Sequence, residues 1–117
     1  MVRVELGKLA CHGLEDYFGD DLRAGARKAL LHYAYKLRAG RRPIAAPRFL
    51  KGPGTPEAKL DLTLDRDTEA LLGQEARRLQ ISTSRLAAHA VLVYLAELEF
   101  LGVVPRRARA EKDEPGF

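Results

Sequence analysis

Residues 59–95 read KLDLTLDRDTEALLGQEARRLQISTSRLAAHAVLVYL, and this stretch decides the fold. Its opening alternates strictly: Leu60, Leu62 and Leu64 fall on one face, and Lys59, Asp61, Thr63 and Asp65 on the other. A period of two marks a half-buried strand, so 59–65 is predicted as β. Asp65 or Asp67 can then cap a helix to about Leu79, with Thr68, Leu72, Ala76 and Leu79 on its inner stripe. Gln80-Ile81 turns the chain, and Ser82-Thr83-Ser84 opens a long helix to about Leu101. That helix is apolar almost all round between Leu86 and Leu95, a pattern that requires burial on more than one side. One strand and two helices cannot supply it alone.

The N-terminal residues offer the missing partner. Val2-Arg3-Val4-Glu5-Leu6 alternates like the later strand, and a shorter helical stretch follows over 11–18. Asp20 or Asp21 caps a further helix through Leu37, stopped at Gly40. Ala29-Leu30-x-x-Tyr33 matches Ala90-Val91-x-x-Tyr94 at an offset of 61 residues, whereas Val2, Val4 and Leu6 match Leu60, Leu62 and Leu64 at 58. An earlier helix shortened by three residues (61 − 58 = 3) reconciles the two offsets. The predicted organisation is an internal β-α-α repeat, 1–40 and 58–101, forming one domain over 1–104. Pro43, Pro47, Pro53 and Pro56, with Gly52 and Gly54 among them, mark 41–57 as a linker. After Gly102 and Pro105, residues 105–117 read as a flexible tail.

Composition narrows the function classes. A chain of 117 residues suits one domain, and its single cysteine, Cys11, cannot close an intrachain bridge. With 46% hydrophobic and 31% charged residues it has a globular rather than a disordered balance. The longest apolar run, 90–96, falls far short of the roughly 20 residues that span a bilayer. MVRVELGKL has no apolar core of an export signal, so the expectation is a cytoplasmic protein without membrane association. The net charge of +4 permits a polyanionic partner. Its distribution is uneven: Lys36, Arg38, Arg41, Arg42, Arg48 and Lys51 follow one another with no acid between them. Residues 59–104 instead hold five basic and seven acidic side chains.

Residues 59–95 resemble a ribbon-helix-helix domain of the Met/Arc repressor-like family. The features that carry the resemblance are the alternating strand, the helix ending in Arg77-Arg78-Leu79-Gln80-Ile81, the Ser82-x-Ser84 cap and Ala90-Val91-x-x-Tyr94. Residues 1–40 resemble the same unit more weakly. Members are small DNA-binding proteins, many of them repressors or antitoxins, in which two copies pair their strands into an antiparallel ribbon laid in the major groove. The resemblance implies a mainly α fold with a two-stranded antiparallel β-ribbon, a tandem pseudo-dimer on one chain, monomeric or in multiples of that unit. Pairing about a local two-fold axis sets Arg3 opposite Asp61, Glu5 opposite Lys59 and Met1 opposite Thr63. Self-pairing would oppose Asp61 to Asp61 or Arg3 to Arg3, so charge favours the mixed ribbon. Val4 and Leu62 are then expected beneath it, against Leu86, Ala90 and Tyr94 of one long helix and Leu30 and Tyr33 of the other.

By the same resemblance, Arg3, Glu5, Lys59, Asp61 and Thr63 are the base-reading positions. Arg and Lys suit guanine, Thr a thymine methyl, and a carboxylate the cytosine amino group. Ser82, Thr83 and Ser84 match the family's phosphate clamp, although plain helix capping accounts for them as well. In the first block Asp20-Asp21 stand in the equivalent place, where they repel phosphate. Arg41, Arg42, Arg48 and Lys51 can track a DNA backbone or simply solubilise the linker. Enzyme, cofactor and metal readings find little: His12, His32 and His89 are scattered, Cys11-His12 lacks ligand spacing, and no P-loop, GxGxxG, HExxH or GxSxG occurs. Cys11 reads as core, His12 as surface, and His32 and His89 as core or interface. Gly25 and Gly73, each costing a helix about 1 kcal/mol relative to Ala, mark either a close helix approach or drift. Two functions compete: a double-stranded DNA-binding transcriptional regulator, and a ribbon-helix-helix module that binds a protein, as an antitoxin or enzyme inhibitor, through its tail or linker. The basic linker and the serine cap favour the first, and the acidity of 59–104 and Asp20-Asp21 the second.

Overall fold

In the computed structural model, which describes residues 1–40 and 57–103, the two alternating stretches pair with each other. Strands β1 (Val2–Leu6) and β2 (Ala58–Leu62) form a two-stranded antiparallel sheet with Val2 opposite Leu62, Arg3 opposite Asp61, Val4 opposite Leu60 and Glu5 opposite Lys59. Both charged pairs stand where pairing about the expected two-fold axis sets them. The second strand is shorter than the expected 59–65 and shifted back to Ala58. Leu62, Thr63 and Leu64 continue the buried-exposed-buried alternation, but the register carries Leu64 past the end of β1 and the ladder stops at Val2–Leu62. Met1 and Thr63 lie just beyond that last pair.

Helices α1 (Lys8–Phe18) and α2 (Leu22–Arg38) follow β1, and α3 (Arg66–Leu79) and α4 (Thr83–Phe100) follow β2, so the described chain is mainly helical. The first of these begins at Lys8 rather than Cys11. Its N-cap is Gly7, which makes no side-chain capping bond and so leaves no signal in the sequence. At α2 the Asp21 carboxylate accepts from the Ala24 N–H at 3.0 Å. At α3 the cap is Asp65, which accepts from the Thr68 N–H at 3.0 Å, while Asp67 sits inside the first turn. At α4 the Ser82 Oγ accepts from the Arg85 N–H at 3.1 Å.

The halves interlock. β1 lies against α4, β2 touches α2, and the two long helices pack on each other. Val4, Leu62, Leu30, Tyr33, Leu86 and Ala90 share one buried cluster, with Tyr94 half-buried against it. A fully buried leucine such as Leu30 or Leu86 contributes about 1.5–3 kcal/mol through removal from water. Gly25 is a true close approach: a Cβ there would lie 2.7 Å from Phe18 Cδ2, whereas one at Gly73 would meet nothing within 4 Å. Cys11 is buried and His12 exposed. Among the described residues no helix is long and apolar enough to cross a membrane.

Candidate nucleic-acid interface

One face of the ribbon is sealed and the other is open. Val2, Val4, Leu6 and Leu62 are buried, while Arg3, Glu5, Lys59, Asp61 and Thr63 are all exposed. The alternation of the sequence therefore sorts the five positions expected to read bases onto one surface. At its centre the Arg3 guanidinium lies against the Asp61 carboxylate, Nε donating to Oδ1 at 3.1 Å and Nη2 to Oδ2 at 3.4 Å. The hydrogen bond from Arg3 holds the Asp61 carboxyl below the usual carboxylate range, and that bond to Asp61 raises the guanidinium in turn. The pair thus favours the ionised form of Asp61. A guanidinium carries more donors than these two contacts use, so Arg3 keeps N–H groups for a further acceptor.

Glu5 and Lys59 behave differently. They stand opposite each other in the ladder, yet among the described residues no ion pair joins them. Lys59 therefore presents its ammonium outward, without a carboxylate held on it. Thr63 is exposed just beyond the ladder, its methyl and hydroxyl at the end of the surface away from Lys59.

The edge of the ribbon brings in a residue that sequence reasoning missed. Arg23, in the first turn of α2, donates from Nη1 to the main-chain oxygen of Asp61 at 3.3 Å and also helps keep the Asp61 carboxyl low. Its signal was available: Arg23 stands 61 residues before Ser84, the offset of the long helices. The first half thus carries a cation where the second carries a serine of the cap.

The positions expected to clamp phosphate, Ser82, Thr83 and Ser84, form a helix start. Ser82 is exposed with its oxygen engaged in the cap, and Thr83 and Ser84 are half-buried in the first turn. Ser82 Oγ takes the Arg85 N–H and the Ser82 main-chain oxygen the Leu86 N–H, which leaves the N–H groups of Thr83 and Ser84 without a main-chain acceptor in the helix. Arg41, Arg42, Arg48 and Lys51 lie outside the described residues. The first two cations of the basic run are engaged elsewhere: Lys36 is ion-paired with Glu97 of α4, and Arg38 donates to Thr68 Oγ1 at 3.5 Å.

A second polar cluster lies where α2 meets α4. His32 Nε2 is 2.8 Å from a Glu97 oxygen, with Lys36 on the other oxygen and Tyr94 tilted over the imidazole. Burial, and then the Lys36 ammonium, hold His32 below the usual histidine range, so a neutral ring donates to the carboxylate shared with Lys36. Among the described residues no three His, Cys, Asp or Glu side chains gather as a metal site. A scan against protein-family models finds no match, and searches of the curated proteins and of the solved structures find none either.

Proposed function

We propose that this chain is a tandem ribbon-helix-helix protein that binds double-stranded DNA as a transcriptional regulator, a binding protein without a catalytic step. The observation that carries the reading is the two-stranded antiparallel ribbon, buried on one face and open on the other, whose open face presents Arg3 and Lys59. A ribbon of this width enters the major groove, and those two side chains suit guanine O6 and N7 there. The repeat supports it from three sides. The caps Asp21 and Ser82 are 61 residues apart. The earlier helices have 11 and 14 residues, and their difference of three equals the difference between the two sequence offsets. Each strand lies on the long helix of the other half, as two interlocked β-α-α units require.

Electrophoretic mobility shift with genomic fragments tests this. At about 50 mM salt the chain should bind duplex DNA, and affinity should fall steeply toward about 200 mM as counterions are released. Replacing Arg41, Arg42 and Arg48 together by Ala should weaken all sequences alike and flatten the salt slope by about 0.9 for each phosphate no longer neutralised. No binding at about 50 mM would refute the proposal.

One observation favours the protein-binding module instead. The open face carries Glu5 and Asp61 as well as Arg3 and Lys59, and Arg3 is already held by Asp61. Asp61→Ala separates the two. On a DNA reader, losing a charge that repels phosphate should raise non-specific affinity and reduce discrimination between sequences. On a protein-binding module, DNA affinity should stay negligible at every salt concentration.

A further inference from the structure

We propose that a single copy of this chain reads a non-palindromic duplex DNA site in one orientation. The inference rests on the DNA-binding reading above and adds the class of site. A reader made of two identical strands presents the same groups at both ends of its ribbon, and a two-fold protein selects a two-fold site. This ribbon is not of that kind. Along its open face Arg3 and Asp61 stand in the middle, with Glu5 and Lys59 toward the Leu6 end. Met1 and Thr63, both exposed, stand at the opposite end.

Half a turn about the centre would bring Lys59 onto Met1, whose own α-ammonium is taken by Glu69, and Thr63 onto Glu5, so that an ion of each sign falls on a thioether side chain and a hydroxyl. The two ends therefore ask for different bases. An ammonium beside a carboxylate suits a G·C pair, with guanine O6 and N7 accepting and the cytosine amino group donating. A threonine methyl beside a methionine suits the C5 methyl of thymine. The centre is unequal too, because Arg3 leans on Asp61 and Arg23 reaches only the Asp61 side of the ribbon. Both strands are already used by the intrachain ladder, so no second chain is needed to complete the reading surface.

Selection of the full chain against a randomised duplex library at about 50 mM salt, followed by fluorescence anisotropy on the enriched duplex, tests the inference. The expected result is a motif without internal two-fold symmetry, bound by one chain per duplex. Lys59→Ala should flatten base preference at one end of the motif and Thr63→Ala at the other. The lysine change should lower affinity for the enriched duplex by about 5- to 150-fold. Both side chains are exposed, and circular dichroism checks that the variants fold. A palindromic motif, an enriched motif that loses preference at both ends in Lys59→Ala, or binding with no enriched motif overturns the inference while the DNA-binding reading stands. Failure to bind any duplex overturns both.

Discussion

The two long helices open alike and pack differently. Asp21 and Ser82 cap them at equivalent positions, and the buried pairs Ala26 with Ala87 and Ala29 with Ala90 recur at the same offset of 61. One position earlier in that series the halves part: α2 buries Gly25 where α4 buries Leu86. The missing volume is taken by the ring of Phe18, from the end of α1. A further step along, Lys28 is exposed in α2, while His89 of α4 is buried edge-on to Tyr33. Small alanines at the shared positions let the helices approach, and the unequal neighbours make the interface fit in one arrangement only. Unequal volume and unequal charge thus join the mixed ribbon in support of the proposed pairing within the chain.

The heaviest blow to that arrangement should come at Leu86, which is fully buried. Leu86→Ala should cost about 2–5 kcal/mol in equilibrium urea unfolding, as the removal of a core side chain that leaves a cavity. A loss below about 1 kcal/mol would mean that the first half relaxes to fill the gap, contrary to a tightly specified interface. Gly25→Ala probes the same position in the other half with the opposite change in volume. A new Cβ would lie 2.7 Å from Phe18 Cδ2 and 3.0 Å from Leu14 Cδ2. Overpacking of about 1–3 kcal/mol should outweigh the gain of about 1 kcal/mol in helix propensity. Gly73→Ala is the contrast. It meets nothing within 4 Å and should stabilise by about 0.5–1 kcal/mol. If the two glycine variants shift the urea midpoint in the same direction, close packing at Phe18 is not what keeps Gly25.

Sequence reasoning reached the ribbon register through the two-fold pairing that the resemblance implies, with the complementary charges only as support, and it reached the caps because Asp21, Asp65 and Ser82 are side-chain signals. It placed the start of α1 late because Gly7 caps through its backbone alone. The three-dimensional contacts of long side chains were harder to read. Glu5 and Lys59 face each other as expected, yet only Arg3 and Asp61 close an ion pair, since a forked guanidinium meets a carboxylate at two atoms and an ammonium does not. The Lys36–Glu97 pair also went unread, although those residues are 61 apart and so sit at matching points of two crossing helices. What separates Gly25 from Gly73 lies in neither helix's own sequence but in the ring of Phe18.

The smallest effect concerns the contrast between exposed Lys28 and buried His89. Burial holds the His89 imidazole below the usual histidine range, so the folded chain keeps it neutral. In the unfolded chain it takes up a proton below about pH 6.5. The unfolded state then binds more protons than the folded one, and stability falls as pH drops through about 6.5 toward the lowered folded value. His32, also lowered by burial and by Lys36, acts with the same sign. Urea midpoints at pH 7.5 and 5.5 should therefore differ, the lower pH being the less stable. His89→Leu, which keeps an apolar side chain of similar size against Tyr33, should shrink that difference, and His32→Gln should remove a further part. An undiminished difference in His89→Leu would mean that the imidazole accepts its proton without leaving the core, and that the buried position in α4 is no more demanding than the exposed lysine in α2.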